Sequence, residues 1–501
     1  MRPLVARVLP LALVLMLGAP PAAPAAGKLT IGIGSIPNTP DPHRDSTANA
    51  LIAYAQLYEK LVGVDDTGRI VGVLAESWRV VNDTTWELKL RRGVAFHNGE
   101  PFTADSVKFS IERVLNPATK SPWGSRIAPV DKVEVVDAGT VRIITKSTFA
   151  PLLQGLMTVD MLPPKYFAEK GEREFAGAPV GTGPFRFTSW VKQDHLALAA
   201  NPAYWRGRPA LDEVVFRSIP EDSTRVAGIE TGELDAVLLV PPEQVSRLKA
   251  RSVDVRSINQ GQGLVVNFRT PVEPFTSKKV RQALNYAVDK EAILKSLLAG
   301  YGRVLDGQIV GPDGFGYNPA LKPYPHDPKR AKQLLAEAGF PNGFTVKFNG
   351  SVGRYTKDKE IEEAVIGQLA EIGVTAQLEI LEAGVFIQSA LGATIGPMWI
   401  WAWQYLPAMD ADLPLSLFQS RSILKEYANP DYDALVARSR AALRPEERRK
   451  VLQEMAAFLR DDPPSIFLVQ TAGIYAVQPW VQNFVWRSNY LIDLTRVRVT
   501  K

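Results

Sequence analysis

Apolar and polar positions follow two rhythms along this chain, and each rhythm predicts its own kind of element. Trp86, Leu88 and Leu90 alternate with Glu87 and Lys89, the period-two pattern of a half-buried strand. Leu29–Ile33, Val133–Val136, Val141–Ile144, Phe185–Trp190, Leu196–Ala199 and Val214–Ile219 read as further strands, with a turn at Ala138-Gly139. Helical spacing takes over elsewhere. Val107, Ile111 and Val114 share one helical face behind Thr103, a good N-cap. Asp327-Pro328 opens a helix with proline at its first position, Leu334 and Leu335 supply its buried face, and Gly339 stops it. Ile361, Val365, Leu369 and Ile372 form the stripe of a helix over 357–372, closed by Gly373; Val374, Ala376, Leu378 and Ile380 then alternate as a strand. Asn429-Pro430 opens another helix. Interleaved strands and helices predict an α/β protein, and no internal repeat or low-complexity segment follows the first residues.

Those first residues have a different character. Arg2 and Arg7 precede an apolar run from Val8 to Leu17, and Ala23-Pro24-Ala25 ends the segment with a small-x-small signal. This is the layout of a cleaved secretory leader over 1–26, and the run is far short of the roughly 20 residues of a spanning helix. About 475 residues remain, more than one hydrophobic core usually supports, so at least two lobes are expected.

The chain has no cysteine. That excludes a disulfide framework, thiolate-held zinc and a lipid-modified cysteine at the cleavage site. Net charge falls from +5 to +3 once the two leader arginines are set aside. Arg91-Arg92, Lys278-Lys279 and Arg448-Arg449-Lys450 stand among acids and read as solvated faces, so no nucleic-acid partner is expected.

Catalytic, metal and cofactor signatures are not found. There is no G-x-S-x-G and no H-E-x-x-H, and the four histidines, at 43, 97, 195 and 326, stand far apart. His97-Asn98-Gly99 reads as a turn packed beside Phe96 and Phe102, not as a metal or catalytic position. Gly181-Thr182-Gly183-Pro184-Phe185 lacks the Gly-Lys-Ser/Thr ending of a phosphate loop and reads as a tight turn into a strand. Gly261-Gln262-Gly263, ahead of the strand-like Leu264–Phe268, reads as an ordinary loop or as a hinge, since glycine absorbs φ/ψ change.

The run from Leu74 to Val114, L-A-E-S-W-(12 residues)-R-R-G-V-A-F-H-N-G-E-P-F-T-A-D-S-V-K-F-S-I-E-R-V, resembles the extracellular solute-binding proteins, family 5. The same resemblance extends through Gly181–Phe185, Asn201–Trp205, Thr231–Asp235, Asn267-Phe268, Pro274-Phe275 and Lys279–Lys290, covering nearly all of the chain after the leader. It implies a type II periplasmic-binding-protein fold, with ligand enclosed between two lobes joined by crossing strands. Lobe I would be 27–264 plus 481–501, with an inserted subdomain at about 46–178, and lobe II would be 265–480. It also implies a periplasmic, non-enzymatic, monomeric receptor that carries a peptide-like or other medium-sized organic solute to an ATP-binding-cassette (ABC) permease in the inner membrane. The missing cysteine argues against a lipid anchor. Two rival classes stay open: a secreted hydrolase using a carboxylate pair, and a receptor serving a signalling partner.

Met398-Trp399-Ile400-Trp401-Ala402-Trp403-Gln404-Tyr405 is the second notable run. Extended, it sets Trp399, Trp401, Trp403 and Tyr405 in one row of roughly 20 Å and turns Met398, Ile400 and Ala402 into packing. Trp399 reads as core. Trp403 and Tyr405, at the strand's carboxyl end, read as ligand contacts, with Trp401 and Gln404 beside them. The resemblance supports Trp403 and adds Trp123, in Ser121-Pro122-Trp123-Gly124, as a contact from the inserted subdomain. Family members that bind peptides carry an aspartate just after this tryptophan, whereas no acid lies between Glu382 and Asp410 here. Nickel also fits poorly, because no histidine follows His326. Arg354 either meets a ligand carboxylate or stays a solvated loop arginine.

Overall fold

In the computed structural model, which describes residues 27–65, 68–422 and 424–501, two long antiparallel strands join the halves of the molecule. These are Asp254–Phe268 and Ser465–Val477. The proposed leader, 1–26, lies outside the described residues. On one side of the crossing, Ala236–Leu238 pairs with Tyr475–Val477. Lys28–Ile33 and Glu213–Ser218 then add in parallel, followed by antiparallel His195–Ala200 and Phe185–Val191. On the other side, Met398–Gln404 runs antiparallel to Gln262–Phe268, and Phe344–Gly350 and Val374–Ile380 continue in parallel. The strands foreseen from alternation all form.

The glycines at the crossing depart from expectation. Gly261 and Gly263 lie inside a strand and neither has a positive φ. Their lack of a side chain is needed for packing instead. A Cβ on Gly263 would stand 2.5 Å from the Ile309 carbonyl oxygen, and one on Gly261 would stand 2.6 Å from Leu406 Cδ2. The pairing between the long strands shifts register between Asn259 and Gly263, where the chain leaves one half for the other. Tyr475–Val477, at the end of the return strand, pairs with Ala236–Leu238 of the N-terminal sheet.

A separate four-stranded antiparallel sheet, in the order Ala75–Asn82, Thr85–Leu90, Thr140–Thr145, Val130–Asp137, builds the inserted subdomain. Helix Ala104–Leu115 covers it, starting from a capping box between Thr103 and Ser106. Val107, Ile111 and Leu88 are buried in its core. Glu87, expected on the polar face, is buried as well, because Arg79 (2.7 Å) and Arg142 (2.9 Å) clamp its carboxylate. His97 ties this subdomain to the main sheet: its Nδ1 accepts from Gly181 N–H at 3.2 Å and its Nε2 donates to Gly183 O at 2.9 Å. Burial pulls its pKa down to about 4, keeping it neutral for both bonds.

In the second half, Asp327, Asn429 and the 357–372 stripe open helices Pro328–Glu337, Pro430–Ala441 and Asp358–Ala370 as their sequences require. Met398, Ile400 and Ala402 join Leu264, Val266 and Phe268 in one core, as alternation predicts.

Candidate functional site

A cleft runs between the inserted subdomain and the segment that follows the tryptophan strand. Its inner part is a cavity of about 260 Å³. One wall is the turn Gly124–Arg126 and the short helix Leu152–Leu156. They touch closely because Gly155 has no side chain: a Cβ there would stand 2.6 Å from Arg126 O. Trp123 is buried under the same turn and donates from Nε1 to Pro42 O at 3.2 Å. The facing wall is Leu406–Ala408, Asp410, Asp412, Arg421 and Arg440. Hydrogen bonds from Tyr405 N–H to Gly261 O (3.0 Å), from Phe315 N–H to Met409 O (2.7 Å) and from Ala411 N–H to Phe315 O (2.9 Å) hold that loop in place.

The cavity carries a surplus of positive charge. Asp412 is paired with Arg440 at 3.2 Å, and Asp410 with Arg448 at 2.6 Å. Arg126 and Arg421 also line the cavity, and among the described residues neither side chain has a hydrogen bond or ion pair. Burial pulls the Arg126 guanidinium down to about 10; Asp412 opposes that shift and Arg440 adds to it. A guanidinium in this state gains from an incoming carboxylate, which supplies both the missing charge and a planar pair of acceptors. Gln154 stands between the walls, donating to Asp410 Oδ2 at 3.0 Å while its own Oε1 is buried without a partner among the described residues.

The six residues singled out in the sequence do not gather here, and none lines this cavity. Trp403 is 4% exposed, its Nε1 bonded to Asn267 Oδ1 at 3.1 Å and its ring edge-on to Phe418. Tyr405 is fully buried and its hydroxyl is taken by Asp313 (2.9 Å), Gln470 (2.9 Å) and Gly311 N–H (3.1 Å). In this arrangement neither polar tip is available to a solute. Trp401 and Arg354 do come together, the guanidinium 4.7 Å from the indole centroid and 5.8 Å from that of Phe386, which stacks on Trp401 at 6.0 Å. Gln404 is exposed beside the crossing, 3.4 Å from Gln262. Arg126 escaped the sequence reading although it lies three residues beyond Trp123. The basic run 448–450, read as a solvated face, splits: Arg448 turns inward to Asp410 and is 3% exposed.

One further constellation bears on the hydrolase alternative. Ser189 Oγ lies 3.0 Å from His195 Nε2, and His195 Nδ1 lies 2.7 Å from Asp194 Oδ2. That is the order of nucleophile, base and orienting acid. All three residues sit on the hairpin of Phe185–Val191 and His195–Ala200 and none lines the cleft.

Comparison with known proteins agrees with this architecture. Residues 69–423 match the family described as bacterial extracellular solute-binding proteins, family 5. The chain is 30% identical over 461 residues to the glutathione-binding protein GsiB of Pectobacterium atrosepticum, covering 89% of this chain and 88% of that protein. Among solved structures, it is similar to the periplasmic binding protein DppA of Helicobacter pylori in complex with the peptide STSA. There the TM-score is 0.82 at 25% identity, over 95% and 98% of the two chains. It is also similar to MoaA of A. tumefaciens R10 in complex with mannopinic acid, with a TM-score of 0.78 at 26% identity over 95% and 100%. With the crossing strands, the inserted subdomain and a match over most of its length, the chain belongs to family 5 of the bacterial extracellular solute-binding proteins.

Proposed function

We propose that this chain is the substrate-binding component of an ABC importer and that its solute is a peptide-like molecule bearing at least one carboxylate. The observation that carries the solute class is the uncompensated guanidinium of Arg126 facing the cleft, with Arg421 on the opposite wall. A relative named for glutathione, and structures solved with mannopinic acid and with a peptide, support the same class. In this reading Trp123, Trp403 and Tyr405 are the supports behind the cleft walls. Trp401, Gln404 and Arg354 are contacts nearer the crossing strands. Lobe I, 27–264 plus 481–501, and lobe II, 265–480, close on the solute about the two crossing strands. Closure follows because the bound solute touches both walls and so favours the closed arrangement. The protein works as a monomer in the periplasm. No described helix is long and apolar enough to cross a membrane.

The test is calorimetry with glutathione and with a tripeptide as its free acid and as its C-terminal amide. A charge-assisted pair is worth about 1.5–3 kcal/mol, so amidation and Arg126→Gln should each weaken binding about tenfold or more. Equal affinity for acid and amide would remove Arg126 as the anchor.

A further inference from the structure

Beside the arginine cavity lies a larger one of about 880 Å³, within the range of drug-sized ligand sites. Gln154, Ala408 and Asp410 are a wall common to both. Their chemistry differs. Around the larger cavity the arginines are compensated: Arg448 by Asp410, Arg79 by Glu87, Arg69 by Asp65 and Arg449 by Glu446. Asp313, on its rim, is held by Tyr405 and Gln470. Much of the remaining wall is aromatic or apolar, with Trp78, Trp86, Leu153, Phe315 and Tyr317. Arg448 and Arg449 lie against the Phe315 ring at 5.4 and 5.0 Å, fixing it in place. Four buried polar atoms of this wall have no partner among the described residues: the Trp86 Nε1 and Arg448 Nε donors and the Gln154 Oε1 and Asp313 Oδ2 acceptors. Buried polar groups are nearly always satisfied, and a donor with an acceptor, such as Trp86 Nε1 with Gln154 Oε1, is what a peptide unit satisfies.

We propose that the two cavities form one bipartite site, in which the smaller holds the solute's carboxylate at Arg126 and the larger takes an aromatic or large apolar side chain. Trp86 and Gln154 meet the amide between these two ends. The inference rests on the carboxylate reading above and adds to it a preference that charge alone does not give.

An equimolar mixture of tetrapeptides varying at one position (Gly, Ser, Asp, Lys, Leu, Phe, Trp), each as acid and amide, is offered to the mature protein. Retained peptides are counted by native mass spectrometry. Phe, Trp and Leu acids should be enriched about tenfold over Gly, the ratio given by about 1.4 kcal/mol. Ala150→Phe, which narrows the larger cavity, should abolish that preference and keep the dependence on the carboxylate. Pro319→Trp, at the cavity's exposed rim, does the same without touching the core, should Ala150→Phe fail to fold. Arg126→Gln should give the reverse pattern. Carboxylate-dependent retention with no side-chain preference, or a preference unchanged in Pro319→Trp and Ala150→Phe, would overturn the bipartite site alone. Retention of no peptide by the unaltered protein would overturn both readings.

Discussion

Arg448 grips Asp410 through two hydrogen bonds of 2.7 and 2.6 Å, at a place where both side chains are 3% exposed. Asp410 is the first acid after the tryptophan strand, and this pairing commits its charge within the protein. Breaking a buried pair leaves one charge uncompensated, which costs about 3–5 kcal/mol. Arg448→Met should therefore lower unfolding stability by that order in urea. Adding Asp410→Leu to it should recover most of the loss. A double variant no more stable than the single one would mean that the pair is not the source of the cost.

The same pairing makes a statement about solutes. An ammonium buried in the cleft needs a carboxylate partner, and Asp410 and Asp412 are both engaged by arginines. Peptides that bind should keep their affinity within about threefold when N-acetylated, read by calorimetry on the two forms of one peptide. A loss of a hundredfold would point to Asp313, whose Oδ2 has no partner among the described residues, as an amine anchor.

At the crossing, close packing and not backbone freedom explains the two glycines. Gly263→Ala would press a methyl group against the Ile309 backbone, whereas Gly261→Ala meets the ends of the Leu406 and Met409 side chains. Overpacking of this kind costs about 1–3 kcal/mol when the neighbour cannot move. Gly263→Ala should be the more destabilising of the two in thermal unfolding. The opposite order would show that Leu406 and Met409 are held as rigidly as the backbone.

Glu362 gives the protein a pH signature. It is fully buried; one oxygen accepts from Ser351 N–H at 2.9 Å, and the other has no partner among the described residues. Burial raises its pKa to about 8, against an ordinary value of 4.5. Between these values the folded state holds a proton that the unfolded state has released, so stability falls as pH rises through that window. The slope is at most about 1.4 kcal/mol per pH unit. Glu362→Gln, permanently neutral, should lack that component and show a flatter stability curve from pH 5 to 8. Parallel curves for the two proteins would refute the assignment.

Local patterns were legible because their causes are local. The alternation at Trp86–Leu90, the cap at Thr103 and the Asp327-Pro328 start depend on neighbours a few residues away, and the elements form there. The row of tryptophans on one face of Met398–Gln404 was legible for the same reason, since Trp399, Trp401 and Trp403 face Asn267, Val265 and Gly263 across the pair. What covers that face was not. Trp403 and Tyr405 find Asn267, Phe418, Asp313 and Gln470, partners 15 to 136 residues away that no periodicity announces.

The sequence by itself determined the α/β alternation, the helix starts, the apolar faces and the family resemblance, because each is written in residues adjacent or evenly spaced along the chain. Tertiary structure alone decided which charges remain unpaired. Arg440 and Arg448 find acids 28 and 38 residues away, while Arg126, brought to the same cleft by Gly155 and the Trp123 turn, finds none among the described residues. The positive surplus in the cleft is a difference between long-range pairings, and pairing of that kind exists only once the chain has folded.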